Sequence, residues 1–96
     1  MKIKIYVDWA NREVYDENAK EAEIERLAKE SQNDEYCFDD FLCDYCDRNF
    51  GRHERVELFK MSEAKRAEVL AEFEKECLTC AKDNFIDETE EYEFEV

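Results

Sequence analysis

The two ends of the chain carry the same alternation of apolar and polar residues, but their polar residues have opposite charge. Near the N-terminus, apolar residues occupy positions 3, 5, 7 and 9, and lysines occupy positions 2 and 4. At the C-terminus, apolar residues alternate with glutamates through the segment EYEFEV, residues 91–96. A period of two is typical of a β-strand that is half buried. Both ends are therefore predicted to be strands.

The charges predict that these two strands are neighbours in one sheet. Opposite charges on adjacent strands contribute about 0.2–1 kcal/mol per pair, so Lys2 and Lys4 are expected beside the C-terminal glutamates, with both sets pointing outward. The segment WANRE can turn the chain, since Asn11 tolerates the left-handed conformation, into a short second strand, EVYD. Three strands are predicted because a lone hairpin is only marginally stable.

The middle of the chain is predicted to be helical. Proline is absent and Gly51 is the single glycine, so tight turns are scarce. Asn18 is expected to cap a first helix, Asn33 or Asp34 a second that Gly51 ends, and Ser62 a third over roughly residues 63–83. The segment RHERVELFKM fits a connector or one helical turn. The prediction is an α+β fold: a small antiparallel sheet, made of an N-terminal hairpin plus a C-terminal strand, packed with about three helices in a single domain over residues 1–96.

Net charge is the feature that bears most on partners. The chain has 28 acidic and 14 basic residues, a net charge of −14, yet 44% of its residues are hydrophobic, which favours a folded protein. Such a surface repels nucleic acid and anionic membranes, and it attracts basic protein surfaces. No apolar stretch approaches 18 residues, and the N-terminus is too polar for a signal peptide. A cytoplasmic protein that binds neither nucleic acid nor membrane directly is predicted.

The cysteines form two C-x-x-C pairs, Cys43 with Cys46 and Cys77 with Cys80. Four thiolates from two such pairs can hold zinc. Both pairs nevertheless lie in stretches with helical periodicity, and neither has glycine or proline between its two cysteines. Reduced cysteine is also among the most frequently buried residues. Core packing without a cofactor is therefore preferred, and a zinc site made of these four cysteines is kept as the alternative.

The parts of a catalytic site are largely missing from the sequence. There is no glycine-rich phosphate loop, and no serine or cysteine comes with a recognisable base and orienting group. His53, the one histidine, lies in a very polar stretch, and the paired acids lack the pattern of a calcium loop. The sequence predicts that the protein is not an enzyme.

The density of carboxylates is comparable to that of phosphates on DNA. A 96-residue globule is about 30 Å across, and duplex DNA of that length presents about 18 phosphates. The chain places 28 carboxylates on a body of this size. It is predicted to imitate nucleic acid to a protein with a basic groove, and to compete for that groove.

Several stretches also carry a resemblance. The segments MKIKIYVDW, FDDFLCDYCDRNF and LFKMSEAKRAEVLAEFEKEC, together with the acidic terminal strand, resemble small, acidic, phage-encoded proteins. Several proteins of that kind are anti-CRISPR or other anti-defence inhibitors that block nucleic-acid binding. The resemblance implies a DNA mimic that inhibits a bacterial defence nuclease, such as a CRISPR effector, in the host cytosol.

The predicted partner contacts are the acids of the second helix and of the closing strand, with two tyrosines as anchors. They are Tyr36, Asp39, Asp40, Asp44, Asp47, Glu88, Glu90, Glu91, Tyr92, Glu93 and Glu95. Two other functions stay open. One is a zinc-stabilised helical adaptor, and the other is an acidic regulatory subunit of a phage nucleic-acid-processing complex. The sequence leaves open whether the protein is a monomer or a homodimer.

Overall fold

A computed structural model describes residues 1–50 and 62–96, and this part of the chain has an α+β fold. In chain order its elements are β1 (Lys2–Asp8), β2 (Glu13–Tyr15), α1 (Glu17–Gln32), α2 (Glu35–Phe50), α3 (Glu63–Glu88) and β3 (Glu90–Glu95). The predicted fold class is confirmed for these residues. The predicted stop at Gly51, the segment RHERVELFKM and His53 lie outside them.

The three strands form one antiparallel sheet in the order β2-β1-β3, so the two ends of the chain pair as predicted. Lys2 lies opposite Glu95, and Lys4 lies opposite Glu93. The lysines form diagonal ion pairs, with Lys2 Nζ 3.2 Å from Glu93 and Lys4 Nζ 3.5 Å from Glu91. The closing segment is therefore a strand, and the opposite charges that predicted its place lie side by side.

The chain divides into two compact units, and both boundaries lie inside helices. The first unit contains residues 1–28 and 78–96, and the second contains residues 29–77. Because α1 and α3 each contribute to both units, the prediction of a single domain stays a prediction.

In the first unit, the side of β1 that packs on the core is the opposite of the predicted one. Tyr6 is buried with Ile24, Ala28, Ala81 and Phe85, whereas the alternate side of the strand is more open. The Tyr6 ring meets Phe85 edge to face, with 5.7 Å between centroids. The sequence prediction counted Tyr6 as polar, but its ring is the largest apolar surface on that side of the strand.

The turn between β1 and β2 also differs from its prediction. Arg12, with φ of 57°, takes the left-handed conformation, for which Asn11 was the residue named as suitable. Asn11 instead donates two hydrogen bonds to the buried carboxylate of Asp8, from its backbone N–H at 3.1 Å and from Nδ2 at 2.9 Å. These bonds hold the pKa of Asp8 below its ordinary value. A buried carboxylate is tolerated here because its oxygens accept hydrogen bonds.

Side-chain caps begin the three helices of the described residues. Asp34 and Ser62 cap α2 and α3 as predicted, with Asp34 Oδ1 2.8 Å from the Tyr36 N–H. The first helix begins two residues earlier than predicted, because Asp16, not Asn18, is its cap. Asp16 Oδ1 accepts a hydrogen bond from the Ala19 N–H at 2.7 Å. The third helix continues to Glu88, five residues past its predicted end.

The second unit has an aromatic core between α2 and the first part of α3. Phe73 meets Phe38 and Phe41 with ring centroids 5.1 and 5.2 Å apart. Tyr45 and Cys77 complete the buried cluster with Val69. This packing fixes which side of α2 faces solvent.

Candidate functional site

One side of α2 presents three of the four predicted aspartates together with Tyr36. Asp40, Asp44 and Asp47 follow one another at spacings of four and three residues, and Tyr36 precedes Asp40 by four, so all four share a face. All are exposed, and Tyr36 is 84% exposed. We call these four residues the α2 acidic face. Asp39 is also exposed but lies about 100° around the helix from Asp40.

The α2 acidic face keeps an excess of negative charge. Arg48 Nε lies 2.9 Å from Asp44, one turn along the helix, and both side chains are more than half exposed. An exposed pair at this spacing contributes about 0.3–0.5 kcal/mol, so a basic partner can displace it at small cost. The three carboxylates and one phenol are therefore accessible to a protein that approaches α2 from solvent.

The predicted contacts on β3 are divided between the two faces of the sheet. Glu91, Glu93 and Glu95 lie on the face that carries the β1 lysines, whereas Glu90 and Tyr92 lie on the other face. A single flat partner cannot contact both sets. The prediction that Tyr92 anchors a partner beside these three glutamates stays a prediction, and the register places Tyr92 on the other face of the sheet from them.

Glu90 is held by its own side of the sheet. The Trp9 indole N–H donates to Glu90 Oε2 at 2.9 Å, and the Tyr92 hydroxyl donates to the same oxygen. The Tyr92 bond first, and the Trp9 bond second, hold the pKa of Glu90 below its ordinary value. The Glu90 carboxylate is thus engaged in hydrogen bonds within the sheet, which makes it less available to a partner.

Tyr6 connects β3 to the first helix. Its hydroxyl donates to Glu17 Oε1 at 2.9 Å and lies 3.3 Å from Glu91 Oε1, and Lys20 Nζ sits 4.4 Å from its ring centroid. Burial, and then the two neighbouring carboxylates, raise the pKa of Tyr6 to about 12. Glu91 is thereby tied to the core of the first unit and to Lys4 at once.

We expect stability to fall in alkali, and Tyr6 contributes to this fall together with Tyr15, whose pKa the hydrogen bond to Glu13, and then burial, also raise to about 12. A pKa raised from 10.0 to about 12 gives a contribution on the order of 2 kcal/mol that is complete below pH 10 and lost as pH rises through about 12. Urea unfolding between pH 8 and pH 12 should show this fall. Tyr6→Phe should be less stable at neutral pH, and its decline above pH 10 should be shallower. Tyr36→Phe, on an exposed residue, should match the wild type, and an unchanged alkaline profile in Tyr6→Phe contradicts the assignment.

Acidic residues are concentrated at the end of α3, where negative charge is unfavourable to a helix. From Asp83 to Glu95 there are seven acidic residues and no basic one. The last turn of α3 has no base, although a helix C-terminus favours cations. Of the acids in that turn, Asp87 was not among the predicted contacts, and Glu88, which was predicted on the closing strand, lies instead at the end of α3 and is exposed.

An acidic cleft in the first unit was missed altogether. Its volume is about 460 Å³, and its charged lining comes from Asp8, Glu13, Glu23, Arg26 and Glu88. The hydrogen bonds of the Glu23–Arg26 ion pair hold the pKa of Glu23 below its ordinary value. The lining belongs to β1, β2, α1 and α3, so no local pattern could have brought these residues together.

The cysteines are thiols in different environments. Cys46 and Cys77 are buried, and Cys43 is half buried. Cys80 is exposed, so its predicted core packing is wrong. Within the described residues, no three His, Cys, Asp or Glu side chains are grouped to hold a metal ion. The zinc alternative stays a prediction that metal analysis of protein purified without chelator can test.

Comparison with known proteins yields no relative. No protein-family model, curated protein or solved structure matches this chain. Over residues 1–50 and 62–96, no helix has the length and apolarity required to cross a bilayer.

Proposed function

We propose that this protein is a non-enzymatic inhibitor that occupies the basic nucleic-acid-binding groove of a bacterial defence nuclease, such as a CRISPR effector. It acts in the host cytosol and belongs, in this proposal, with small phage anti-defence proteins that imitate DNA. The α2 acidic face is the observation that carries the proposal. It offers three carboxylates and an aromatic anchor on one capped helix.

The proposed mechanism is competition for lysines and arginines that normally hold phosphates. Carboxylates at helical spacing stand about 5–6 Å apart, so neighbouring acids can engage neighbouring basic side chains. Tyr36 supplies apolar contact, which matters because aromatic residues dominate the binding energy of many interfaces. Long-range attraction speeds association and makes the complex sensitive to salt.

Acidity for solubility alone accounts poorly for this charge distribution. A net charge of −14 exceeds the magnitude of about 2–8 that suits the solubility of a small domain. The acids Asp87 and Glu88 also oppose the helix dipole at the end of α3. Charge that works against folding is more readily explained by binding than by solubility.

The test is displacement of DNA from candidate nucleases. Guide-loaded CRISPR effectors are mixed with a labelled target duplex and increasing amounts of the protein, at about 50 mM and about 200 mM salt. We expect loss of DNA binding at low salt and weaker inhibition at high salt, because screening reduces exposed charge contacts. Unchanged DNA binding in excess protein at low salt contradicts the proposal. Binding to a nuclease without displacement of DNA would instead support the regulatory-subunit alternative.

A further inference from the structure

One face of the sheet is apolar and exposed. Its outward side chains are Ile3, Ile5 and Val7 of β1, Val14 of β2, and Tyr92 and Phe94 of β3. Trp9 extends this surface, since its indole is hydrogen-bonded to Glu90 on the same side. We call this surface the open sheet face. The core of the first unit packs on the other side of β1, around Tyr6.

The open sheet face is large for a protein of this size. Trp9 is 65% exposed, Phe94 51% and Tyr92 37%, and aromatic side chains present about 150–250 Å² each, so these three alone expose roughly 300 Å². That area already reaches the largest apolar patch of a typical monomer, about 300–600 Å². Ile3 and Val14 bring it closer to the about 800 Å² that each partner contributes to a standard interface.

The charges of the sheet favour a second copy as the occupant. Glu91, Glu93 and Glu95 point to the opposite face, and Glu90 is engaged by Trp9 and Tyr92. A basic partner therefore finds no free row of carboxylates on the open sheet face. A partner with the same apolar surface matches it, and a two-fold dimer provides one by symmetry.

Stacking of faces is favoured over pairing of edges. If β3 of one copy paired antiparallel with β3 of another, glutamates would stand opposite glutamates, which is destabilising. Stacked sheets about 10 Å apart instead interdigitate their apolar side chains. This arrangement leaves Glu91, Glu93 and Glu95 of both copies pointing away from the interface.

We propose that the open sheet face is the interface of a homodimer in which two sheets stack face to face. The dimer does not depend on the proposed inhibitory function. The salt dependence of dimerisation should be opposite to that of binding to a basic groove. Two chains of charge −14 repel each other, so added salt strengthens the dimer, whereas it weakens binding to a basic groove.

Sedimentation velocity at about 50 mM and about 500 mM salt tests the dimer directly. We expect a species of twice the 11.6 kDa chain mass that grows with salt. Trp9, the one tryptophan, reports on the face: its emission should shift to the blue and its quenching by acrylamide should fall as the dimer forms. A protein that stays monomeric at both salts overturns the proposal. So does a monomer whose Trp9 is already shielded from acrylamide, or a dimer in which Trp9 is unaffected.

Phe94→Glu should raise the dimer dissociation constant about tenfold or more, because it places a charge within an apolar interface. The matched control is Leu70→Glu, which adds the same charge at a residue of the second unit that is 47% exposed. It should leave most of the dimer intact. Val14→Glu, on β2, provides a second test if Phe94→Glu does not fold. Dimerisation of folded Phe94→Glu or Val14→Glu as strong as that of Leu70→Glu places the interface elsewhere.

Discussion

Replacing Phe85 with alanine should lower the free energy of unfolding by about 3–5 kcal/mol, which is typical of a buried phenylalanine. Phe85, a residue of α3, is 3% exposed and is buried with Tyr6 of β1 and Ile24 and Ala28 of α1. Its ring meets Tyr6 and Tyr15 edge to face, at centroid distances of 5.7 and 5.3 Å. The variant leaves a cavity at the centre of the first unit and removes two aromatic contacts at once.

Equilibrium urea unfolding measures this loss, and the neighbouring Ile86→Ala is the matched control. Ile86 follows Phe85 in the same helix but is 65% exposed, so its replacement should change stability by about 0.5 kcal/mol or less. A typical protein is stable by about 5–15 kcal/mol, so Phe85→Ala is expected to be close to unfolding under mild conditions. Equal effects from the two substitutions contradict the placement of Phe85 in the core.

The parts of the fold that the sequence predicted were those with two independent signals. The closing strand had a period of two and also a charge match with Lys2 and Lys4. The caps at Asp34 and Ser62 each preceded a run of apolar residues at helical spacing. When periodicity and polar chemistry agree, few alternative structures satisfy both.

The errors arose where only one signal existed. The burial of Tyr6 was missed because its hydroxyl made that side of β1 look polar, although carboxylates satisfy the hydroxyl. The third helix was predicted to end at about residue 83, and Phe85, four residues after Ala81, was not counted as part of its apolar side. In the fold, Phe85 packs into the core and Thr89 Oγ1 bonds the Phe85 carbonyl at 2.7 Å, which helps to hold the last turn.

The candidate site was predictable on α2 and less so on β3. The helical spacing of Asp40, Asp44 and Asp47 is local, so it could be counted along the chain. The engagement of Glu90 by Trp9 joins residues 81 positions apart and depends on strand register. Local patterns therefore indicate which acids are exposed, and the three-dimensional contacts decide which of them are available.

The position of the acidic residues, and not only the net charge of the protein, should determine how strongly it inhibits DNA binding. We expect the quadruple replacement of Asp39, Asp40, Asp44 and Asp47 by asparagine to weaken inhibition in the DNA-displacement assay about 100-fold. Each charge contact with a partner is worth roughly 0.5–1 kcal/mol, so the three carboxylates of the α2 acidic face add to about 1.5–3 kcal/mol. Asp39, which lies outside that face, contributes long-range attraction only. The fold should survive, because all four side chains are exposed and their removal relieves repulsion along α2.

The control changes the same number of charges elsewhere in the second unit. Glu63, Glu72, Glu74 and Glu76 are exposed residues of α3, and their replacement by glutamine gives the same net charge of −10. This control should lose less than about tenfold in inhibition, since it removes only long-range attraction. If both quadruple variants weaken inhibition equally, affinity for the target depends on net charge alone, and the α2 acidic face has no special role. A tenfold or greater gap between them, with both proteins folded, locates the contact on α2.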